Sequence, residues 1–332
     1  MSDVNRSVVR QPSRRDVIAL GVGAFVVAAV PFVRRRRTKL VRRTIPIMGT
    51  VGEIGVVQRD EVYAHAAIDA AFDQLRLIER LMTRFNASSD VGRANASAAA
   101  DAVTVSPETI EVLDVALRWA ESSDGAFDPC LGRVADLWDV TNRDAPPARR
   151  TFSRLADRHL YRQLDMDRAN GGGRIRLHDA DAAIDLGGIA KGYGVDRAVT
   201  ALREWGIDHG LVNVGGDLYA LGHSEDGDPW HVGIRSPFDP TELQGHVDVS
   251  NAAVATSGDY LRFFRHGGRQ YHHLLDPSTG EPHESAVRSI TVRAGSCMTA
   301  DAAATAAFGL NETRARDQLR RQAPDAEIIS AS

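Results

Sequence analysis

The chain has 332 residues, 43% hydrophobic and 25% charged, a balance that fits a folded globular protein and excludes wholesale disorder. The net charge of -4 is uneven: residues 1–43 hold 11 basic and two acidic side chains, leaving 29 basic and 42 acidic for 44–332, so an arm of +9 precedes a body of -13. A body that acidic argues against a nucleic-acid partner, because phosphate backbones need a basic face.

In chain order, Arg14-Arg15 stand before an uncharged run of 17 residues, 17–33. A twin arginine ahead of a mildly apolar run has the form of a Tat export signal. Seventeen residues is also the lower edge of a membrane-spanning helix. Arg34 to Arg37 follow, and positive charge on that side opposes translocation. We expect export to the periplasm or the outer face of the cytoplasmic membrane, with 17–33 either cleaved or retained as an anchor. The expected division is a signal or anchor with its basic flank over 1–43 and one functional domain over 44–332.

Residues 51–58 predict a strand. Asp60 can cap a helix running to about Phe85, since Ile68, Phe72, Leu75, Ile78, Met82 and Phe85 recur at steps of three or four. Ser106-Pro107 opens a second helix that stops before Gly125. Residues 142–150 predict a loop, and Gly171-Gly172-Gly173 a turn between short strands. A third helix is expected from about Ala190 to Trp205, with Gly206 just beyond. Strands follow at 211–221, 230–235, 246–249 and 289–293, and an Ala-rich helix starts near Met298. Late strands joined by short turns suggest antiparallel pairing and an α+β fold.

Three stretches carry chemistry. In 183–196, Gly187-Gly188 let a ligand approach the backbone, and a helix start with Lys191 attracts phosphate. By itself this reads first as a glycine turn with a solvated lysine. In 301–305, Asp301 and Thr305 lie four apart, hence on one helix face, and two such oxygens suit magnesium. By itself this reads first as an Asp near the start of a small-residue helix. In 271–280, Asp276-Pro277 with Gly280 predicts a turn beside His272 and His273, and a histidine can take a proton from a hydroxyl near neutral pH. The plain alternative is a strand-end histidine bonded to a carbonyl. No CxxC or Cys/His cluster suggests structural zinc, and the sequence leaves open whether Cys130 and Cys297 pair.

The order of these motifs decides. Met48-Gly49-Thr50, Gly125-Ala126-Phe127-Asp128-Pro129, Asp185 to Tyr193, Val212 to Asp217, Ala255 to Tyr260, His273 to Gly280, and Thr291-Val292 followed by Asp301 to Thr305 together resemble the ApbE family, the FAD:protein FMN transferases, over about 44–325. The resemblance implies a two-lobed α+β fold with mainly antiparallel sheets and FAD in the cleft between the lobes. It implies magnesium-dependent transfer of FMN to a Thr or Ser hydroxyl of a target redox protein, with AMP released. The metal would be held by Asp301, Thr305 and the backbone oxygen of Gly188. Asp185 and Lys191 would contact FAD near its phosphates. Met48, Phe85, Ala126, Phe127 and Asp128 would line the nucleotide site, with Leu275 touching it through its backbone, and His273 would be the base. His272 is expected to be a bystander on the opposite strand face. The chain departs from the pattern at Phe85, where many relatives carry Tyr, and at Cys130, where many carry Thr. Part of the pattern would also suit an FAD pyrophosphatase, or a protein that binds FAD without chemistry.

Overall fold

The computed structural model describes residues 25–27 and 38–332, apart from 170 and 240. The expected signal or anchor therefore lies largely outside the described residues. Of its run only Phe25–Val27 is described, a short strand pairing antiparallel with Trp230–Arg235. Among the described residues no helix is long and apolar enough to cross a membrane.

The body begins with a hairpin. Strands Lys39–Ile47 and Thr50–Gln58 pair over their whole length, from Lys39 opposite Gln58 to Ile47 opposite Thr50. The two-residue turn puts Met48 at φ 51° and Gly49 at φ 68°, the left-handed pair that a right-twisted hairpin requires. The first strand crosses the expected 43/44 boundary, so Lys39, Arg42 and Arg43 belong to the folded sheet and not to a basic flank. Nothing in the local sequence marks this, because the strand's basic residues look like a continuation of the arm.

The hairpin forms one edge of a seven-stranded antiparallel sheet. From the other edge its order is Glu327–Ala331, Ser289–Ala294, Ala252–Gly258, Asp217–Leu221, Gly210–Val214, Thr50–Gln58 and Lys39–Ile47. The run 211–221 is thus two strands, folded back at Gly215 (φ 62°) and Gly216 (φ 104°), rather than one. A smaller antiparallel sheet joins Val103–Val105, Gly172–Leu177 and Leu164–Ala169. The fold is α+β with mainly antiparallel sheets.

The helices start where capping residues were read. Asp60 accepts from the Val62 and Tyr63 amides to open Glu61–Met82, and the Ser106 hydroxyl accepts from Thr109 to open Pro107–Ser122. Ile68, Phe72, Leu75, Ile78 and Met82 are buried, as their spacing predicts. Phe85 is not on that stripe: the helix ends at Met82, and Phe85 is 82% exposed. Helices Ala190–Glu204 and Cys297–Ala307 complete the frame.

Two main hydrophobic clusters share these helices. Leu75, Val195 and Ala300 pack under the large sheet, whereas Ile78, Tyr193 and Ala302 pack with the small sheet and Pro107–Ser122. Each of the three helices therefore passes from one core to the other. Met48 packs against both.

Candidate active site

The charged centre lies where the helices change cores. Lys191, in the first turn of Ala190–Glu204, pairs with Asp217 and stands 3.4 Å from both carboxylate oxygens of Asp301. Asp301 also accepts the Gly192 amide at 3.1 Å. The two helices can come this close because residue 192 is glycine: a Cβ there would lie 2.3 Å from the Cys297 carbonyl oxygen and 2.8 Å from Met298 Cα. Asp196, one turn after Lys191, accepts the Cys297 and Met298 amides at 2.8 and 2.9 Å. It thereby caps the helix carrying Asp301 and Thr305.

Asp217 and Asp301 are both buried. Burial, then repulsion from Asp301, raises the Asp217 pKa, and Lys191 opposes that. Burial alone would lower the Lys191 pKa, but Asp217 and Asp301 outweigh it and raise it, so the ammonium stays charged.

Thr305 sits one turn beyond Asp301. Its hydroxyl is 3.3 Å from that of Ser257, and its side chain lies against Gly188, where a Cβ would be 2.8 to 3.2 Å from Thr305 atoms. A carboxylate, a hydroxyl and the glycine turn thus converge. Hard oxygen donors of this kind fit magnesium, and the absence of a side chain at Gly188 is what lets its backbone reach Thr305. In the described geometry the Asp301 carboxylate is shared with Lys191 and the Gly192 amide. Among the described residues no cluster of three His, Cys, Asp or Glu side chains forms a metal site.

His273 stands beside a strand end, and both its backbone N–H (3.2 Å) and ring Nδ1 (3.3 Å) face the Arg262 carbonyl oxygen. A carbonyl can only accept, so Nδ1 carries the proton and Nε2 is left bare as a base. Burial, then the Arg262 charge, pushes the His273 pKa down and keeps the ring neutral at pH 7. Arg262 also donates to the Gly49 carbonyl oxygen at 2.9 Å, tying the base to the Met48-Gly49 turn. Met48 itself donates its amide to Glu79 at 2.7 Å. His272 is buried with backbone partners on both ring nitrogens, the His283 carbonyl oxygen and the Leu274 amide, and so holds the strand rather than reacting.

The remaining candidates divide. Asp185 binds the Gly187 amide at 2.8 Å and Arg84 Nε at 3.0 Å. The Arg84 guanidinium lies 4.3 Å from the centre of the exposed Phe85 ring, so Phe85, Arg84 and Asp185 form one surface. The Phe127 and Asp128 side chains have partners within the fold. Phe127 is buried in the core, and Asp128 accepts the Cys130 and Tyr161 amides. Burial pushes the Asp128 pKa up to about 6. Ala126 is half-buried beside them, and Leu275 pairs with Pro282. Part of the expected free-amide cradle is also taken, since Asp185 holds the Gly187 N–H and Asp301 the Gly192 N–H. Cys130 and Cys297 are buried free thiols, each belonging to a different core.

Sequence reasoning singled out neither Asp217, Asp196, Ser257, Arg84 nor Arg262. Asp217 and Ser257 lie inside matched motifs, yet no spacing rule places them beside Lys191 or Thr305. Chain folding brings together residues 26 and 48 positions apart.

Comparison with known proteins gives the family. The ApbE family model matches residues 48–330. The chain is 33% identical over 301 residues to an FAD:protein FMN transferase of Treponema pallidum, covering 86% of this chain and 83% of the relative. It is 31% identical over 273 residues to one of Vibrio cholerae, covering 81% of each. Among solved structures, the ApbE protein of Thermotoga maritima superposes with a TM-score of 0.78 at 30% identity, over 87% of this chain and 93% of that one. The flavin transferase ApbE of Vibrio cholerae gives 0.75 at 27% identity, over 89% and 97%.

Proposed function

This chain belongs to the ApbE family, and on that premise we propose that it is an FAD:protein FMN transferase that moves the FMN half of FAD onto a Thr or Ser hydroxyl of a target redox protein, with magnesium, releasing AMP. The observation that supports this reading best is the meeting of Lys191, Asp301 and Thr305 at the Gly188 turn. Asp301, Thr305 and the Gly188 carbonyl oxygen would hold the magnesium, which when bound neutralises pyrophosphate charge. Lys191 adds a fixed positive charge there, and the Asp217 pair keeps it aimed. Phe85 offers an open ring face for stacking, held from behind by Arg84.

The step needs a base. His273 Nε2 takes the proton of the target hydroxyl as its oxygen bonds to the FMN phosphorus. The bond from that phosphorus to the bridging oxygen breaks, and the oxygen leaves with AMP. A base so placed contributes about a hundredfold or more in rate. The twin arginine and uncharged run support an exported enzyme, working at the outer face of a membrane on a membrane-bound target.

The test is intact-protein mass spectrometry of a candidate target incubated with the enzyme, FAD and magnesium. A gain of one FMN, lost with His273→Ala and with Asp301→Ala, is expected. AMP and free FMN with no labelled protein would favour a pyrophosphatase instead. FAD left intact throughout would reduce the protein to a flavin binder.

A further inference from the structure

A cavity of about 380 Å³ lies behind the site, on the far side of Ala190–Glu204. Tyr193, Arg197, Thr200 and Arg203 line it. At about 100° per residue these four project roughly 120° to 240° around the helix from Lys191. The helix therefore shows Lys191 to the active site and the two arginines to this cavity. Tyr219 and Ser296 close it from the sheet and from the start of Cys297–Ala307.

Among the described residues neither arginine forms an ion pair with a carboxylate. Arg203 donates to the Tyr219 hydroxyl at 2.9 Å and lies over its ring. Among the described residues Arg197 donates to the Gln74 side-chain oxygen, at 3.4 Å, and its Nε is buried without a hydrogen-bond partner. The two acids in the wall are already engaged. Asp196 spends both oxygens on the Cys297 and Met298 amides, and Glu111, at the exposed rim, accepts the Tyr193 hydroxyl at 2.7 Å. Two guanidinium groups thus line a space in which, among the described residues, no carboxylate forms an ion pair with either of them. A guanidinium without a carboxylate partner is matched by an oxyanion, which accepts its N–H groups.

We propose that this cavity is a second binding site for a small oxyanion of two negative charges, gripped by Arg197 and Arg203. The same helix carries Lys191, and the Asp196 cap in the cavity wall orients the helix of Asp301 and Thr305. Occupancy is therefore felt at the flavin site, and the coupling is reciprocal.

Calorimetric titration of the full chain with inorganic phosphate tests the proposal, with FAD saturating so that its own site is filled and magnesium left out so that nothing turns over. Malonate in a parallel titration separates a phosphate-selective cavity from one for dicarboxylates. One-to-one binding of either anion is expected, weakened at least tenfold by Arg203→Gln and by Arg197→Gln. Thr200 is exposed, so Thr200→Glu leaves packing alone, places a negative charge at the mouth and should abolish binding even if an arginine variant folds poorly. The FAD dissociation constant should shift threefold or more with phosphate in the parent protein and not in Thr200→Glu. No binding of either anion at saturating FAD, or binding unmoved by Thr200→Glu, overturns the site. An FAD affinity that phosphate does not change overturns the coupling.

Discussion

Lys191 and Asp217 form an ion pair, the carboxylate buried and the ammonium partly so, that joins the first turn of one helix to the strand after the Gly215-Gly216 turn. Asp301 stands on the other side of the ammonium group. The lysine is thus a fixed charge between two acids, not a flexible arm reaching into solvent.

Breaking that pair leaves Lys191 with Asp301 alone. Removing one member of a fully buried pair costs roughly 3 to 5 kcal/mol, an upper bound where a second carboxylate remains. Asp217→Ala should lower stability by less than that in urea unfolding and reduce flavin transfer at least tenfold. Asp217→Asn keeps the shape and should recover part of the stability but little activity. A fully active Asp217→Ala protein would show that Lys191 needs no anchor.

Gly188→Ala tests the convergence at Thr305. The added Cβ would sit 2.8 Å from Thr305 Cγ2 and 3.0 Å from Oγ1. Overpacking of this kind costs about 1 to 3 kcal/mol. The magnesium concentration needed for half-maximal transfer should rise several-fold, measured as activity against added metal. An unchanged requirement would remove Gly188 and Thr305 from the metal site.

Phe85 separates a binding role from a folding one. Its ring is almost fully exposed, so Phe85→Ala should change stability by no more than about 0.5 kcal/mol. A ring that stacks on the nucleotide contributes about 0.5 to 1.5 kcal/mol. FAD affinity by flavin fluorescence should then fall roughly three- to tenfold. Equal affinities would mean the ring faces solvent in the complex as well.

The pH profile of transfer reports on His273. Its pKa is lowered by burial first and by Arg262 second, so the ring is neutral at pH 7 and remains a base below the ordinary 6.5. The acid limb of kcat/KM should therefore fall below pH 6.5. Arg262→Gln removes the second cause and should move that limb upward. A limb that stays put would assign it to another group.

Stability should carry the mark of Asp196. Burial pushes its pKa up to about 6 from the usual 3.8. The folded state then binds more protons than the unfolded chain between about pH 4 and 6, so this group makes the protein less stable as pH rises through that window. Above about 6 its contribution levels off. Urea midpoints from pH 4 to 7, compared with Asp196→Asn, should show that slope in the parent and less of it in the variant. Parallel curves would place the proton elsewhere.

Much of this protein could be read along the chain. Local signals decided the helix starts at Asp60 and Ser106, because caps and apolar steps act over one or two turns. The same holds for Asp301 and Thr305, whose shared face follows from a spacing of four. The motif order was enough for the family. Other features waited for the tertiary structure. Lys39 to Arg43 read as basic flank until the strand pairs with its hairpin partner. Phe85 fits the helical step but falls beyond the end of the helix. Asp217, Asp196 and Arg262 matter through what they touch: an ammonium group 26 positions back, the amides of a helix about a hundred positions on, and a turn 213 positions away. Periodicity and capping are short-range effects and leave their pattern in neighbouring residues. A buried charge pair or an interhelix cap depends on which segments pack together, and that follows from burying two apolar cores at once.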